Sequence, residues 1–107
     1  MASMVNWWKS STPTQELTGP ALRDVIVYLI EYGRVNMPEH AGLRMEERNI
    51  TGGEILTALR RGVLRTDSCV AGKWRYLARR SDVEVCFTFD IDDDGNLLVL
   101  VTVIRRD

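Results

Sequence analysis

The chain has 107 residues, of which 45% are hydrophobic and 27% are charged, and its formal net charge at pH 7 is −1. This length suits one compact domain with its own hydrophobic core and leaves no room for two. The near-neutral charge excludes a uniformly basic nucleic-acid binder and an acidic disordered tail.

The N-terminal segment, residues 1–17, has no clear periodicity, so we predict an extension followed by a single domain over 18–107. The residues before Met4 are predicted to be a tag remnant (1–3). Trp7 and Trp8 are large apolar side chains in a polar context, which predicts that they dock on the domain or on a partner. No signal peptide and no apolar run near the ~20 residues of a membrane-spanning helix is found. We therefore expect a cytoplasmic protein without membrane contact.

Three helices are predicted in the first half of the domain. The first begins after Thr18 and ends at Gly33, and it is apolar on nearly all sides, as expected for a core helix. The second runs from about Glu39 to Arg48. The third begins at Thr51, which has the spacing of a capping box, and ends at a C-terminal glycine, Gly62. Its predicted inward stripe is Ile55, Leu56 and Leu59.

After the third helix the period of the apolar residues changes from 3.6 to 2, which indicates strands. The segments 63–64 and 73–78 are candidate strands, and 83–91 alternates apolar with polar residues, as in a half-buried antiparallel strand. The segment 97–104 is apolar on both faces, which predicts a central strand. Asp94-Gly95-Asn96 between them predicts a hairpin turn. Helices followed by an antiparallel meander predict an α+β domain.

The basic residues are concentrated in one stretch. Residues 60–80 carry seven basic residues against Asp67 alone, whereas residues 81–104 carry six acidic residues and no basic one. Twelve of the fourteen basic residues are arginine, whose planar fork suits phosphate better than the point charge of lysine. This distribution indicates a local anion site. The alternative is that the arginines only solubilise a helix end and pair with the acidic strand region.

No metal or cofactor motif is complete. Residues 90–95 match the first half of a calcium-binding loop, but the twelfth position, which must be glutamate, is Val101. Cys69 and Cys86 have no zinc-ligand spacing and are predicted to be reduced and structural. Nucleotide-binding and hydrolase motifs do not occur. We therefore predict neither metal nor cofactor.

The chemistry-bearing residues fall in two groups. His40, the only histidine, has Arg44 one helical turn away, which is a workable phosphate-handling pair, although a lone histidine is commonly structural. On the strand 73–76, Lys73 and Arg75 point one way while Trp74 and Tyr76 point the other. If the last strand were adjacent to this one, these cations, Tyr76 and two further arginines would converge on one sheet. Those arginines are Arg105 and Arg106.

The segment His40-Ala41-x-x-Arg44-Met45-x-Glu47-Arg48-x-Ile50-Thr51 resembles the opening motif of an uncharacterised bacterial domain family. The match continues through the Trp/Arg/Tyr strand to the final strands and covers roughly residues 38–106. Asn49 stands where the family often has glycine, a position where asparagine tolerates the same left-handed backbone. This family is similar to the MqsR and RelE mRNA-cleaving toxins. The resemblance implies two or three N-terminal helices packed on a curved antiparallel sheet of three to four strands.

The resemblance also implies a function, namely a small metal-independent endoribonuclease that cleaves mRNA, free or ribosome-bound, and is neutralised by an antitoxin protein. Arg75, which follows a tryptophan, matches a polar position of the toxins, and Arg105, which follows the last strand, matches a basic one, so both are predicted catalytic residues. His40 is the first acid/base candidate and Tyr76 the second. The predicted RNA-binding residues are Arg44, Lys73, Arg79 and Arg106. The alternatives are a non-catalytic RNA- or protein-binding module that uses the same basic sheet, and a protein-binding module anchored by the N-terminal tryptophans.

Overall fold

The computed structural model describes residues 16–92 and 95–106, with side chains described over 16–90 and 100–106. The predictions for the extension up to residue 15, including Trp7 and Trp8, and for Asp94 lie outside the described residues. The described part contains three helices: α1 (Gly19–Tyr32), α2 (Glu39–Arg48) and α3 (Gly52–Arg61). It also contains five strands: β1 (Arg34–Asn36), β2 (Val63–Val70), β3 (Lys73–Arg80), β4 (Val83–Asp92) and β5 (Gly95–Arg105).

The strands form one sheet in the order β1-β5-β4-β3-β2. Strands β2 to β5 are an antiparallel meander, so the predicted α+β class, with three helices on four antiparallel strands, is confirmed. The short strand β1 adds a parallel edge beside β5 and was not predicted, because three residues carry too little pattern. The prediction that β5 is an inner strand is confirmed.

Local sequence signals set the helix boundaries. The Thr51 hydroxyl accepts a hydrogen bond from the backbone N–H of Glu54 at 3.1 Å, and the Glu54 carboxylate accepts one from the Thr51 N–H at 2.9 Å. This is the predicted capping box. Between α2 and α3, Asn49 adopts the left-handed conformation (φ 55°), which asparagine tolerates. Arg23 of α1 donates to the carbonyls of Leu59 and Gly62 and so satisfies the C-terminal end of α3.

Several details differ from the prediction. Gly62 ends α3 as predicted, but with φ −73° its backbone does not adopt the left-handed conformation that is common for a C-terminal glycine. On α3 the buried positions are Ile55, Ala58 and Leu59, whereas Leu56 is exposed. Gly95 and Asn96 are the first residues of β5 rather than turn residues, because they pair with Asp92 and Ile91.

One hydrophobic core fills the space between the helices and one face of the sheet. Its strand residues alternate along β3 to β5, and its helix residues come from α1, α2 and α3. The main strand contributors are Tyr76, Ala78, Val83, Val85, Phe87, Phe89, Leu100 and Val103. The intervening side chains lie on the opposite face, which we call the open face because the described helices pack on the other side. No described helix is long and apolar enough to cross a membrane.

Candidate nucleic-acid interface

The open face carries a cluster of cations from three parts of the chain. Arg65 lies on β2, Arg75 and Arg79 on β3, and Arg106 directly after β5. The strand register places Arg75 opposite Thr88 and Arg79 opposite Glu84 on β4. Lys73 lies at the far end of the same face and pairs with Asp90 at 2.7 Å. The open face therefore carries four of the seven basic residues of the stretch 60–80, together with Arg106.

At the centre of this cluster lies Glu84, a carboxylate that is only 1% exposed. One of its oxygens accepts a hydrogen bond from Nη2 of Arg65 at 3.3 Å, and the other accepts from Nε of Arg106. A buried carboxylate without such partners would be strongly unfavourable, and charge-assisted hydrogen bonds compensate for its loss of water. The two arginines themselves stay accessible, with side chains 65% and 47% exposed.

Arg75 lies in the middle of the open face, beside Cys86. Its side chain is half-buried, and among the described residues it forms neither an ion pair nor a hydrogen bond. Burial raises the pKa of the Cys86 thiol, and the nearby Asp67 carboxylate raises it further while Arg75 opposes both. Cys86 is therefore a protonated, packed thiol at neutral pH and not a nucleophile.

Arg105, a predicted catalytic residue, lies on the helix side of the sheet. Its Nη1 donates to Asp82 at 2.7 Å, its Nε to the carbonyl of Arg48 at 3.0 Å, and its Nη2 to the carbonyl of Asn49 at 2.7 Å. Nη2 also contacts the Glu54 carboxylate at 3.3 Å. These bonds join the β3–β4 turn to the α2–α3 junction, so the guanidinium is used within the fold.

The same contacts shift the ionisation of the groups around Arg105. Its hydrogen bond lowers the pKa of Asp82. The pKa of Glu54 is lowered first by the backbone N–H of Thr51 and then by Arg105. The pKa of Arg105 is raised, mainly by Asp82. All three groups are therefore held in their charged forms by one another.

Beside this network lies an open cavity of about 480 Å³. Glu54 and Asp82, the two carboxylates that Arg105 holds, form part of its wall. The other lining residues are Thr51, Gly53, Thr57, Arg80, Ser81 and Val83. The residues that line this cavity include no histidine or cysteine beside the two carboxylates. The described residues contain no cluster of three or more metal-ligating side chains.

Tyr76 and His40 occupy two further environments. The Tyr76 ring is buried in the core, its hydroxyl accepts a hydrogen bond from the Leu17 N–H at 3.0 Å, and burial raises its pKa. His40 is exposed on α2, and its neighbour Arg44 pairs with Glu47 at 2.8 Å. Because α2 packs on the helix side of the sheet, neither group shares a face with Arg75.

The predicted convergence depended on the last strand lying next to the strand 73–78, and this condition is not met. Strand β4 lies between β3 and β5, and Tyr76 points into the core, on the side opposite to Arg75. The structure does bring Arg75, Arg79, Arg106 and Lys73 to the open face. Sequence analysis missed Arg65 and Glu84, because their pairing depends on a register between strands that no local pattern specifies. No known protein-family model and no curated protein matches this chain.

Proposed function

We propose that the chain is an RNA-binding module that holds the phosphate backbone of RNA on the open face. The observation that supports this proposal is the group of four arginines there whose N–H groups are only partly used by the described residues. Arg65 uses one terminal nitrogen and Arg106 uses Nε, in both cases for Glu84. Toward the described residues, Arg79 uses only Nε, for the Ser81 carbonyl at 3.4 Å.

The chemistry of these donors suits phosphate. Guanidinium groups bind phosphate oxygens through two parallel hydrogen bonds, which is stronger and more directional than a lysine contact. Arg75 and Arg79 are four residues apart on one strand, a separation of about 13 Å at ~3.3 Å per residue. One small anion cannot contact both, whereas consecutive phosphates of a nucleic acid strand can.

Binding without cleavage fits the placement of the titratable groups. Metal-independent cleavage of RNA needs a base for the 2′-hydroxyl and an acid for the leaving oxygen. Arginine does not deprotonate, and the predicted acid/base groups His40 and Tyr76 do not lie on the open face. Endonuclease activity, with an antitoxin as partner, stays a prediction that rests on the resemblance alone.

The test is to incubate the full chain with a long mixed-sequence RNA in EDTA and to run native and denaturing gels side by side. We expect the RNA to be retarded on the native gel and intact on the denaturing gel. Arg75→Ala is expected to lower the affinity about tenfold, equivalent to ~1.4 kcal/mol. Arg61→Ala removes the same charge at the end of α3 and should leave the affinity unchanged.

Three outcomes would count against this proposal. Discrete RNA fragments made by the wild type would instead establish an endoribonuclease, and their loss in an Arg105→Ala variant with an unchanged circular dichroism spectrum would place Arg105 in its site. No retardation at low salt would exclude RNA binding. Equal effects of Arg75→Ala and Arg61→Ala would exclude the open face as the interface.

A further inference from the structure

Among the residues whose side chains are described, Glu84 is the one charged side chain on the open face that is almost fully buried. It lies on the central strand β4, opposite Arg79 on β3 and Ile104 on β5. Its carboxylate receives an arginine from β2 on one oxygen and an arginine from the end of β5 on the other. The guanidinium groups of Arg65 and Arg106, which come from non-adjacent strands, therefore meet at the carboxylate of Glu84.

We propose that Glu84 is a positioning residue, which holds Arg65 and Arg106 side by side so that their free N–H groups bind one phosphate of the RNA. This inference rests on the proposed function and adds to it the residue that organises the site. Glu84 itself does not contact the RNA, because its oxygens are occupied and its side chain is 1% exposed.

The physical reason is preorganisation. An arginine side chain loses considerable rotamer entropy when it is fixed, and two guanidinium groups close together repel each other. The carboxylate between Arg65 and Arg106 offsets both effects before any ligand arrives. Within the described part of the chain, Nε and Nη1 of Arg65 and both terminal nitrogens of Arg106 have no hydrogen-bond partner, so a phosphate meets donors that are already in place.

If Glu84 positions the two arginines, the Glu84→Gln substitution changes the RNA affinity in the direction opposite to that expected from net charge. Glu84→Gln removes a negative charge from the RNA-binding face, and long-range electrostatics alone would strengthen RNA binding. If Glu84 positions the arginines, the same change weakens binding, because glutamine cannot hold two guanidinium groups with equal strength.

The experiment measures the affinity of the full chain for a fluorescently labelled mixed-sequence RNA by anisotropy at one salt concentration. Four proteins are compared: the wild type, Glu84→Gln, the double variant Arg65→Ala/Arg106→Ala, and the triple variant. We expect Glu84→Gln to weaken binding about tenfold in the wild-type background, or ~1.4 kcal/mol. In the double variant, Glu84→Gln should not weaken RNA binding further, because the two arginines that Glu84 positions are already absent.

Equal or tighter binding by Glu84→Gln overturns the inference, and so does an equal loss in both backgrounds, which would indicate a general structural role. If Glu84→Gln does not fold, Arg65→Lys on the exposed edge strand decides instead. Arg65→Lys keeps the positive charge but loses the two parallel N–H groups of the guanidinium, and wild-type RNA affinity in this variant would overturn the inference.

If the wild type binds RNA and Arg75→Ala weakens this binding, the proposed function stands whatever the result for Glu84→Gln. If the wild type binds no RNA, both fail.

Discussion

Arg105 shows how a residue that looks catalytic in the sequence can have a structural role. A basic residue after the last strand matches a site position of the toxins that the sequence resembles. In the fold its N–H groups are taken by two carboxylates and two backbone carbonyls. A substrate phosphate would have to displace these partners, so Arg105 contributes to the joining of elements rather than to ligand binding.

The Arg105 network gives a pH-dependent stability. The folded-state pKa values of Glu54 and Asp82 are lowered, so their stabilising contribution is complete above their ordinary values of 4.5 and 3.8. It is lost as the pH falls through the lower folded values, because the unfolded chain takes up protons first. We expect the urea midpoint of the wild type to fall below about pH 4.5.

Arg105→Met should have a lower midpoint at pH 7 and a shallower fall on acidification, measured by circular dichroism between pH 7 and pH 3. Arg44→Met, which removes the exposed ion pair to Glu47 within α2, is the matched control and should follow the wild-type profile. Parallel pH profiles for the wild type and Arg105→Met would contradict this account of the network.

At the scale of the elements, Gly62 marks a close approach between α3 and β3. A glycine at the end of a helix commonly adopts the left-handed conformation, but here φ is −73°. The requirement is space instead. A Cβ atom at Gly62 would lie 2.4 Å from the carbonyl oxygen of Ala58 and 2.7 Å from that of Arg79. Both are backbone atoms, which cannot move aside cheaply.

Gly62→Ala is therefore expected to destabilise the fold by about 1–3 kcal/mol, as overpacking does. Gly42→Ala is the matched control, because a Cβ atom there, within α2, meets nothing within 4 Å. Since alanine favours the helix, it should stabilise by about 0.5–1 kcal/mol. Urea unfolding measures both variants, and an unchanged free energy of unfolding for Gly62→Ala would show that α3 and β3 are not in tight contact.

Local physics explains which elements were predictable. The bounds of α2 and the capping box of α3 follow from short-range signals, and the alternation on β4 correctly separates Phe87 from Glu84. Strand order and pairing are set by contacts between distant residues. This is why the sequence shows a basic face on β3 but not the carboxylate of Glu84 that joins Arg65 to Arg106.

At the scale of the whole molecule, the near-zero net charge is the sum of a basic stretch (60–80) and an acidic stretch (81–104) that lie on neighbouring strands of the sheet. Some of the basic stretch does pair with the acidic strand, as in Lys73–Asp90 and Arg65–Glu84. Arg75 remains unpaired among the described residues and the outer N–H groups of its neighbours remain free. The aromatic rings described on β3 and β4 pack on the core side. Electrostatic contacts to phosphates, without base stacking, should then dominate RNA binding.

This balance predicts the salt dependence of RNA binding. If Arg65, Arg75, Arg79 and Arg106 each neutralise one phosphate of a single strand, log affinity should fall with log salt at a slope of about −3. The affinity would then drop roughly 50-fold between ~50 and ~200 mM salt. Arg75→Ala should reduce the slope to about −2, with a drop of roughly 20-fold over the same range. Anisotropy titrations at several salt concentrations measure both slopes. A slope near zero would show that RNA is held by contacts other than these arginines, and equal slopes would exclude Arg75 from the interface.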